Sequence, residues 1–224
     1  NQLATAGISR LDLVIASHNH ADHIGGLAEV IRRYHPRFYL DNGVPATTLQ
    51  YAGVIKAAEE AGVQLLEANE REVQLGEDVS LTILPPPGIP EWDQNDNSVG
   101  SILTYGKFRM LLGGDAEARE WDWWGARYQT LLTHVQIHKA SHHGSDHGDT
   151  AGALAALTPE VIVISVGQNN LYQHPSPEAL RLYATGDAAL YRTDVNGTVL
   201  VEVSPSGSYV VRVERDKSEK SQAL

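Results

Sequence analysis

The chain has 224 residues, ten histidines, no cysteine and a formal net charge of −11. That length suffices for a hydrophobic core of its own; the lack of cysteine excludes disulfides and thiolate metal ligands, and no apolar run approaches the ~20 residues that a membrane-crossing helix needs. The acidic balance repels polyanions at long range and counts against processive binding of DNA, which a basic patch would favour.

In chain order, residues 11–16 (LDLVIA) form an apolar strand that leads into a histidine-rich loop and then Gly25-Gly26. Helical spacing follows over 26–34, closed by Pro36. A short strand is expected at 38–40, and a helix over 47–61 that stops at Gly62. Strands follow at 63–67, 73–75 and 79–84, ended by the Pro-Pro-Pro-Gly stretch 85–88. Residues 98–105 and 107–112 read as a hairpin turning at Gly106. A helix is expected over 116–132, and a strand at 135–140 runs into Ser141-His142-His143-Gly144. A helix at 149–157, a β-branched strand at 161–166 and a helix at 177–183 come next. Strands at 189–192, 198–203 and 209–213 close the pattern, with Asn196-Gly197 as a hairpin turn. This alternation predicts two mixed sheets between helices, in one domain over 1–214, followed by a polar tail at 215–224.

The loop His18-Asn19-His20-Ala21-Asp22-His23 puts four metal-ligand side chains in six residues. Imidazole suits zinc and other first-row metals, and a carboxylate adds a hard oxygen. On extended backbone His18 and His20 point the same way and can share one ion. Asp22 and His23 follow the turn and can serve a second ion. Asp115 ends the strand LLGGD, where it can give one oxygen to each of two ions, or cap the next helix. Of His142 and His143, successive residues at a strand end, one is expected to bind metal. His143, nearer the turn, is the choice; His142 is the alternative, with a role in substrate contact or support.

Other residues keep two readings. Asn95, Asp96, Asn97 and Ser98 either form a turn or assist the first ion, with Asn97 and Ser98 meeting substrate. His174 either donates a proton to a leaving group and orients substrate, or belongs to a structural turn. Lys139 and Arg192 are surface residues or counter-charges for phosphate. Trp121, Trp123 and Trp124 are core, or an aromatic wall for a cationic group. His35 reads as surface. No GxxxxGK[ST], GxSxG or CxxC motif is present.

The segments SHNHADHIGGL (17–27), NDNSVGSILTYGKFRMLLGGDAE (95–117), KASHHGS (139–145), SVGQNNLYQHPSPEAL (165–180) and LYRTDVNGTVLVEV (190–203) occur in that order. Together they resemble the metallo-β-lactamase superfamily, and within it the metallohydrolase domain of ComEC-type competence proteins and the teichoic-acid phosphorylcholine esterases. The resemblance spans about Leu11 to Val213. It implies an αββα sandwich and a binuclear site with two divalent ions, Zn²⁺ or Mn²⁺. It also implies further N-terminal β-structure, missing from this sequence or trimmed.

Lactamase-like members usually carry another histidine between the signature loop and the bridging aspartate. None occurs here between His35 and His134. The ComEC-like branch shares that gap and offers its own 95–98 segment instead. The expected activity is metal-dependent hydrolysis of a phosphodiester or related ester, on a small or mixed-charge substrate, with Asp22 holding an ion and orienting the nucleophile. The alternatives are a lactonase or β-lactamase-like hydrolase, and a non-catalytic metal-binding module. No feature of the sequence assigns a compartment.

Overall fold

The computed structural model describes residues 2–215. The tail expected from 215 onward thus lies, but for Arg215, outside the described residues. A short helix α1 (Gln2–Thr5) precedes β1 (Leu13–Ile15), α2 (Ala21–Ile24), α3 (Leu27–Tyr34), β2 (Phe38–Leu40), α4 (Leu49–Glu60) and β3 (Gln64–Leu66). Then come β4 (Arg71–Gln74), β5 (Val79–Leu84), β6 (Gly100–Tyr105), β7 (Phe108–Leu112), α5 (Ala118–Arg127), β8 (Ile137–Lys139) and α6 (Ala151–Leu157). The chain continues through β9 (Val161–Ile164), α7 (Pro177–Tyr183), β10 (Ala189–Arg192), α8 (Thr193–Asn196), β11 (Val199–Val203) and β12 (Tyr209–Val213).

β1, β2 and β3 form a parallel three-stranded sheet, and a seven-stranded mixed sheet runs β10-β9-β8-β7-β6-β5-β4. Among the described residues, β11 and β12 pair only with each other. Side chains alternate across each strand, so every strand serves two layers. On β1 and β2, Val14 and Tyr39 pack outward against Ile31 of α3 and Val54, Ala57 and Ala58 of α4. Leu13, Ile15 and Leu40 pack inward on Leu81 and Ile83 of β5. The β11–β12 hairpin covers the rest of that inner face, with Val201, Val203 and Val211 against Phe108, Ile137 and Val161. The opposite face of the large sheet, Ile102, Leu111 and Ile162, takes α5, α6 and α7. The order is helix, sheet, sheet, helix. The inner smaller layer is built from a parallel sheet and a separate hairpin.

Helix starts follow local chemistry. The side-chain oxygens of Thr48, Thr150 and Ser176 accept from the backbone N–H three residues on, at 3.2, 3.1 and 3.0 Å, which satisfies donors that the first turn leaves unpaired. Two expectations need correction. The helix expected over 116–132 is shorter: Glu117 is extended and Tyr128 leaves helical geometry. Asn196-Gly197 is not a hairpin turn, because β10 pairs in parallel with β9 rather than with β11. Asn196 is buried and its Oδ1 accepts from Arg192 N at 2.9 Å, closing the one-turn helix α8. Gly197 (φ 69°) then turns the chain where a Cβ would lie 2.6 Å from Glu214 Oε2. No helix of the described residues is long and apolar enough to cross a membrane.

Trp124 is the largest fully buried side chain; its Nε1 donates to Pro85 O at 2.8 Å and its ring meets Trp121 edge-on. Trp124→Ala should cost about 3–5 kcal/mol, as expected for deleting a buried tryptophan. Urea denaturation checks this; a loss under 1 kcal/mol would place the helix α5 contact outside the cooperative core.

Candidate metal centre

The centre lies at the carboxyl ends of β1, β7, β8 and β9, where loops replace hydrogen-bonded strand. Past β1, Ala16 N donates to Leu40 O (2.9 Å) and Val99 N donates to Ser17 O (2.7 Å). Asn19 is buried between two histidines and anchors the loop. Its Nδ2 donates to Asn42 Oδ1 (2.9 Å) and Val44 O (2.8 Å), and its backbone N donates to Gln94 Oε1 (3.2 Å). Asn42 Nδ2 in turn donates to Gln94 Oε1 and Asn97 O, both at 3.0 Å. With the loop so held, His18 and His20 project together, Nε2 to Nδ1 3.1 Å, as the two-residue period of extended chain requires. α2 then turns the chain and carries Asp22 and His23 to a neighbouring position.

Asp115 arrives from β7. Gly114 has φ 61°, and a Cβ there would come within 2.8 Å of Ser17 Cβ and Ser98 Oγ, so only glycine lets the two loops touch. Asp115 Oδ2 lies 3.1 Å from His23 Nε2 and 3.5 Å from His143 Nε2. The two imidazole nitrogens are 3.1 Å apart, and Asp22 Oδ2 is 3.7 Å from His23 Nε2 and 3.8 Å from His143 Nε2. One ligand atom from each of Asp22, His23, Asp115 and His143 therefore lies within 4.8 Å of all the others. Asp115 Oδ1 is buried without a hydrogen-bond partner, with Lys139 Nζ 3.8 Å away.

Ser141–Gly144 forms one tight turn in which His142 (φ 46°) and His143 (φ 54°) are both left-handed. Their rings diverge. His143 Nδ1 donates to Ser165 O at 2.7 Å, which leaves the Nε2 lone pair free toward His23 and Asp115. His142 Nδ1 meets Glu117 Oε1 at 3.0 Å, and its ring stands edge-on to that of His174 at 5.5 Å.

Burial and the positive field of their neighbours lower two of the clustered histidines, His18 and His143. Burial, assisted by His23, pushes His18 down to about 2. His143 is lowered by burial and by the charge of Lys139. Burial acts to raise Asp115, but the hydrogen bond from His23 and the charge of Lys139 outweigh it and hold the carboxylate below its ordinary value. Burial acts to lower His142, yet Glu117 wins and raises it. Unprotonated imidazoles around an ionised carboxylate are the state in which these groups bind a cation, and a converging set with one orphaned buried oxygen fits a metal.

The remaining expected residues fall elsewhere. Asn97 and Ser98, expected to meet substrate, are sealed from solvent. Asn97 spends its amide on Ile89 N, Ile89 O and Asp93 O. Ser98 Oγ accepts from Asp115 N at 3.1 Å and lies 3.4 Å from His18 Nδ1. Both support the loops that bear the ligand side chains, and neither reaches a cleft. Trp121 and Trp124 are core on the far face of the sheet, so neither forms a wall of the centre. Arg192 pairs with Asp194 at 2.7 Å. His35 caps α3 in left-handed geometry, remote from the centre along β2. His174 lines a cleft of about 320 Å³ that also reaches Asp22 and His143.

Sequence reasoning underrated Lys139 and missed a buried support. Lys139 shares the inward face of β8 with Ile137, and its Nζ donates to Gly114 O at 3.2 Å. Period-two alternation in IHK was the available signal. On the opposite face, His138 and Asp149 form a fully buried pair, Nε2 to Oδ1 2.9 Å. Asp149 Oδ2 accepts from Ser141 N (3.1 Å) and Tyr183 Oη (2.8 Å). The pair thus fixes the start of the turn that carries His142 and His143.

A family model described as beta-lactamase superfamily domain matches residues 2–164. The chain belongs to the beta-lactamase superfamily. Within it, the chain is 29% identical over 201 residues to ComE operon protein 3 of Bacillus subtilis, covering 88% of this chain and 25% of that protein. It is 27% identical over 197 residues to competence protein ComA of Neisseria gonorrhoeae, covering 88% and 26%. The chain therefore spans about a quarter of the length of these relatives. Among solved structures, the metallo-beta-lactamase fold protein YhfI of Bacillus subtilis superposes with TM-score 0.54 at 10% identity, covering 94% of this chain and 82% of that one. CmlA, a diiron beta-hydroxylase from Streptomyces venezuelae, superposes with TM-score 0.52 at 13% identity, covering 82% and 44%. These likenesses give the superfamily's metallo-beta-lactamase fold.

Breaking the pair beneath this superfamily member's histidine turn is costly. Asp149→Ala leaves His138 and Ser141 N buried without a partner, which should cost about 3–5 kcal/mol at neutral pH. Burial acts to raise Asp149, but His138, Tyr183 and Ser141 N lower it on balance. Its contribution is therefore present above the unfolded value of ~3.9 and lost as pH falls through the lower folded value. Urea titrations of both proteins should show a gap that narrows below about pH 4. A gap independent of pH would assign the loss to packing alone.

Proposed function

We propose that this chain is a binuclear metal-dependent phosphodiesterase. The observation that carries the reading is the convergence of Asp22, His23, Asp115 and His143 beside the His18–His20 pair, with Asp115 Oδ1 buried and unpartnered. In this reading His18 and His20 hold one ion and Asp22, His23 and His143 hold the other, with Asp115 shared. Two divalent ions, Zn²⁺ or Mn²⁺, supply activation of a water and neutralisation of charge on the attacked phosphoryl group when bound.

The chain's own groups do the rest. Asp22 is the exposed carboxylate of the cluster, at the edge of the cleft, and orients the attacking water. Lys139 adds fixed positive charge behind Asp115. His142, whose ring is raised by Glu117 against its burial, is the better proton donor to a leaving group. His174 is lowered by burial and by the charge of His142, so at neutral pH it orients substrate as a neutral imidazole.

Two features favour phosphodiesters over β-lactams or lactones. No histidine between His35 and His134 adds to the pair His18 and His20, and a sparse ligand set leaves positions for phosphoryl oxygen. The net charge of −11 favours a small or mixed-charge substrate over long duplex DNA.

With Mn²⁺ or Zn²⁺ the protein should turn over bis-p-nitrophenyl phosphate and leave nitrocefin intact. Asp115→Asn should lower kcat by at least about 100-fold, since an amide cannot share charge between two ions. Full activity in the asparagine variant would remove the shared role, since Asp115 is not the cap of α5, whose N-cap is Glu117. Nitrocefin hydrolysis without phosphodiesterase activity would reverse the assignment. Bound metal with neither activity would favour the non-catalytic module.

A further inference from the structure

The cleft beside the centre has a wall that the metal chemistry does not use. Residues 167–175 form a loop whose base is tightly fixed. Asn170 Oδ1 accepts from His174 N (2.9 Å), and its Nδ2 donates to His174 O (2.7 Å) and Gly167 O (3.1 Å). Ser176 N donates to Gly144 O at 2.9 Å. Gly144 packs so closely on Pro175 that a Cβ would lie 2.7 Å from the proline's own Cβ. The loop is thereby docked on the turn that carries His142 and His143. Asn169 (φ 54°) and Gln173 (φ 59°) hold left-handed backbone on either side of the tip, a conformation side chains other than glycine adopt uncommonly.

The tip nevertheless carries Leu171, 95% exposed, and Tyr172, 76% exposed. Exposure alone marks no site, since Leu49 is 88% exposed as well; what singles out Tyr172 is its place in the cleft beside the centre. Tyr172 lies nearly parallel to His174, 15° between planes and 5.9 Å between centroids. Both rings line the same cleft as Asp22 and His143. A planar group entering the cleft from the open side meets an aromatic face while its anionic end reaches the cluster.

The geometry points to Tyr172 as a specificity determinant: its ring is a stacking platform for a planar aromatic group attached to the phosphoryl centre of the substrate. This rests on the phosphodiesterase reading for the reaction, but the recognition can be measured without turnover. Offset stacking of two rings corresponds to roughly a 3- to 10-fold change in affinity.

The test is calorimetric titration of the metal-replete protein with phenylphosphonate and methylphosphonate, which present the same oxygens with and without a ring. The native protein should bind phenylphosphonate roughly 3- to 10-fold more tightly. Tyr172→Ala should abolish that preference while leaving methylphosphonate affinity unchanged, and Tyr172→Phe should restore it. In turnover of bis-p-nitrophenyl phosphate, Tyr172→Ala should raise KM by a similar factor with kcat unchanged. A ring preference that is absent from the native protein, or that survives Tyr172→Ala, overturns the proposal; so does equal weakening of both ligands, which would mean that the loop has collapsed. A preference that behaves as expected in a protein with no phosphodiesterase activity supports the platform and rejects the reaction.

Discussion

A carboxylate sealed from water among imidazoles is the constraint around which this molecule is arranged. An ionised group at Asp115 is expensive to bury unless fixed dipoles and charges replace its hydration. The fold supplies them from two sides: His23 Nε2 faces Oδ2 at 3.1 Å, and the charge of Lys139 lies beneath, 3.8 Å from Oδ1 and beyond hydrogen-bond reach, while Ser98 Oγ takes the backbone N–H of Asp115. Only one carboxylate oxygen is satisfied in this way. The other is a buried acceptor with no hydrogen bond, a state that folding alone does not favour and that a shared cation would relieve.

The layers serve this convergence. Parallel strands β1, β7, β8 and β9 bring their carboxyl ends together, the usual place for ligands in sheets of this kind. Their outer helices bury the opposite faces. Rigidity at the centre comes from polar networks one step removed: the amides of Asn19, Asn42 and Gln94 under the first loop, and His138–Asp149–Tyr183 under the second. Neither network touches the cleft, and each fixes backbone that carries side chains of the cluster. CmlA, a diiron beta-hydroxylase, shares the fold at 13% identity. Architecture alone therefore does not choose the reaction, and the side chains at the strand ends must.

Much of this was legible in the chain before folding. His18, His20, Asp22 and His23 announce themselves by spacing after an apolar strand. Gly106 marks its hairpin, and the helices expected over 47–61, 149–157 and 177–183 form within two residues of those bounds. The separation of His142 from His143 was also foreseeable, although a left-handed turn rather than a strand end produces it. What stayed hidden depends on long-range contact. Asn97 and Ser98 look like loop polars, yet both are sealed, Asn97 by its bonds to Ile89 and Asp93 and Ser98 by the approach of Gly114. Asp149, read as the first residue of a helix, lies before its Thr150 cap and is met instead by Ser141 N and Tyr183 Oη. Asn196-Gly197 has the composition of a hairpin turn, and only the parallel pairing of β10 with β9 denies it that role.

The central claim is that one buried carboxylate is shared by two ions. Diffraction from crystals grown with Mn²⁺, recorded at the manganese edge, tests it most directly. The account predicts two anomalous peaks roughly 3.5–4 Å apart, one beside His18 and His20 and one among Asp22, His23 and His143, with Asp115 between them. A single peak, or two peaks that Asp115 does not join, would contradict it.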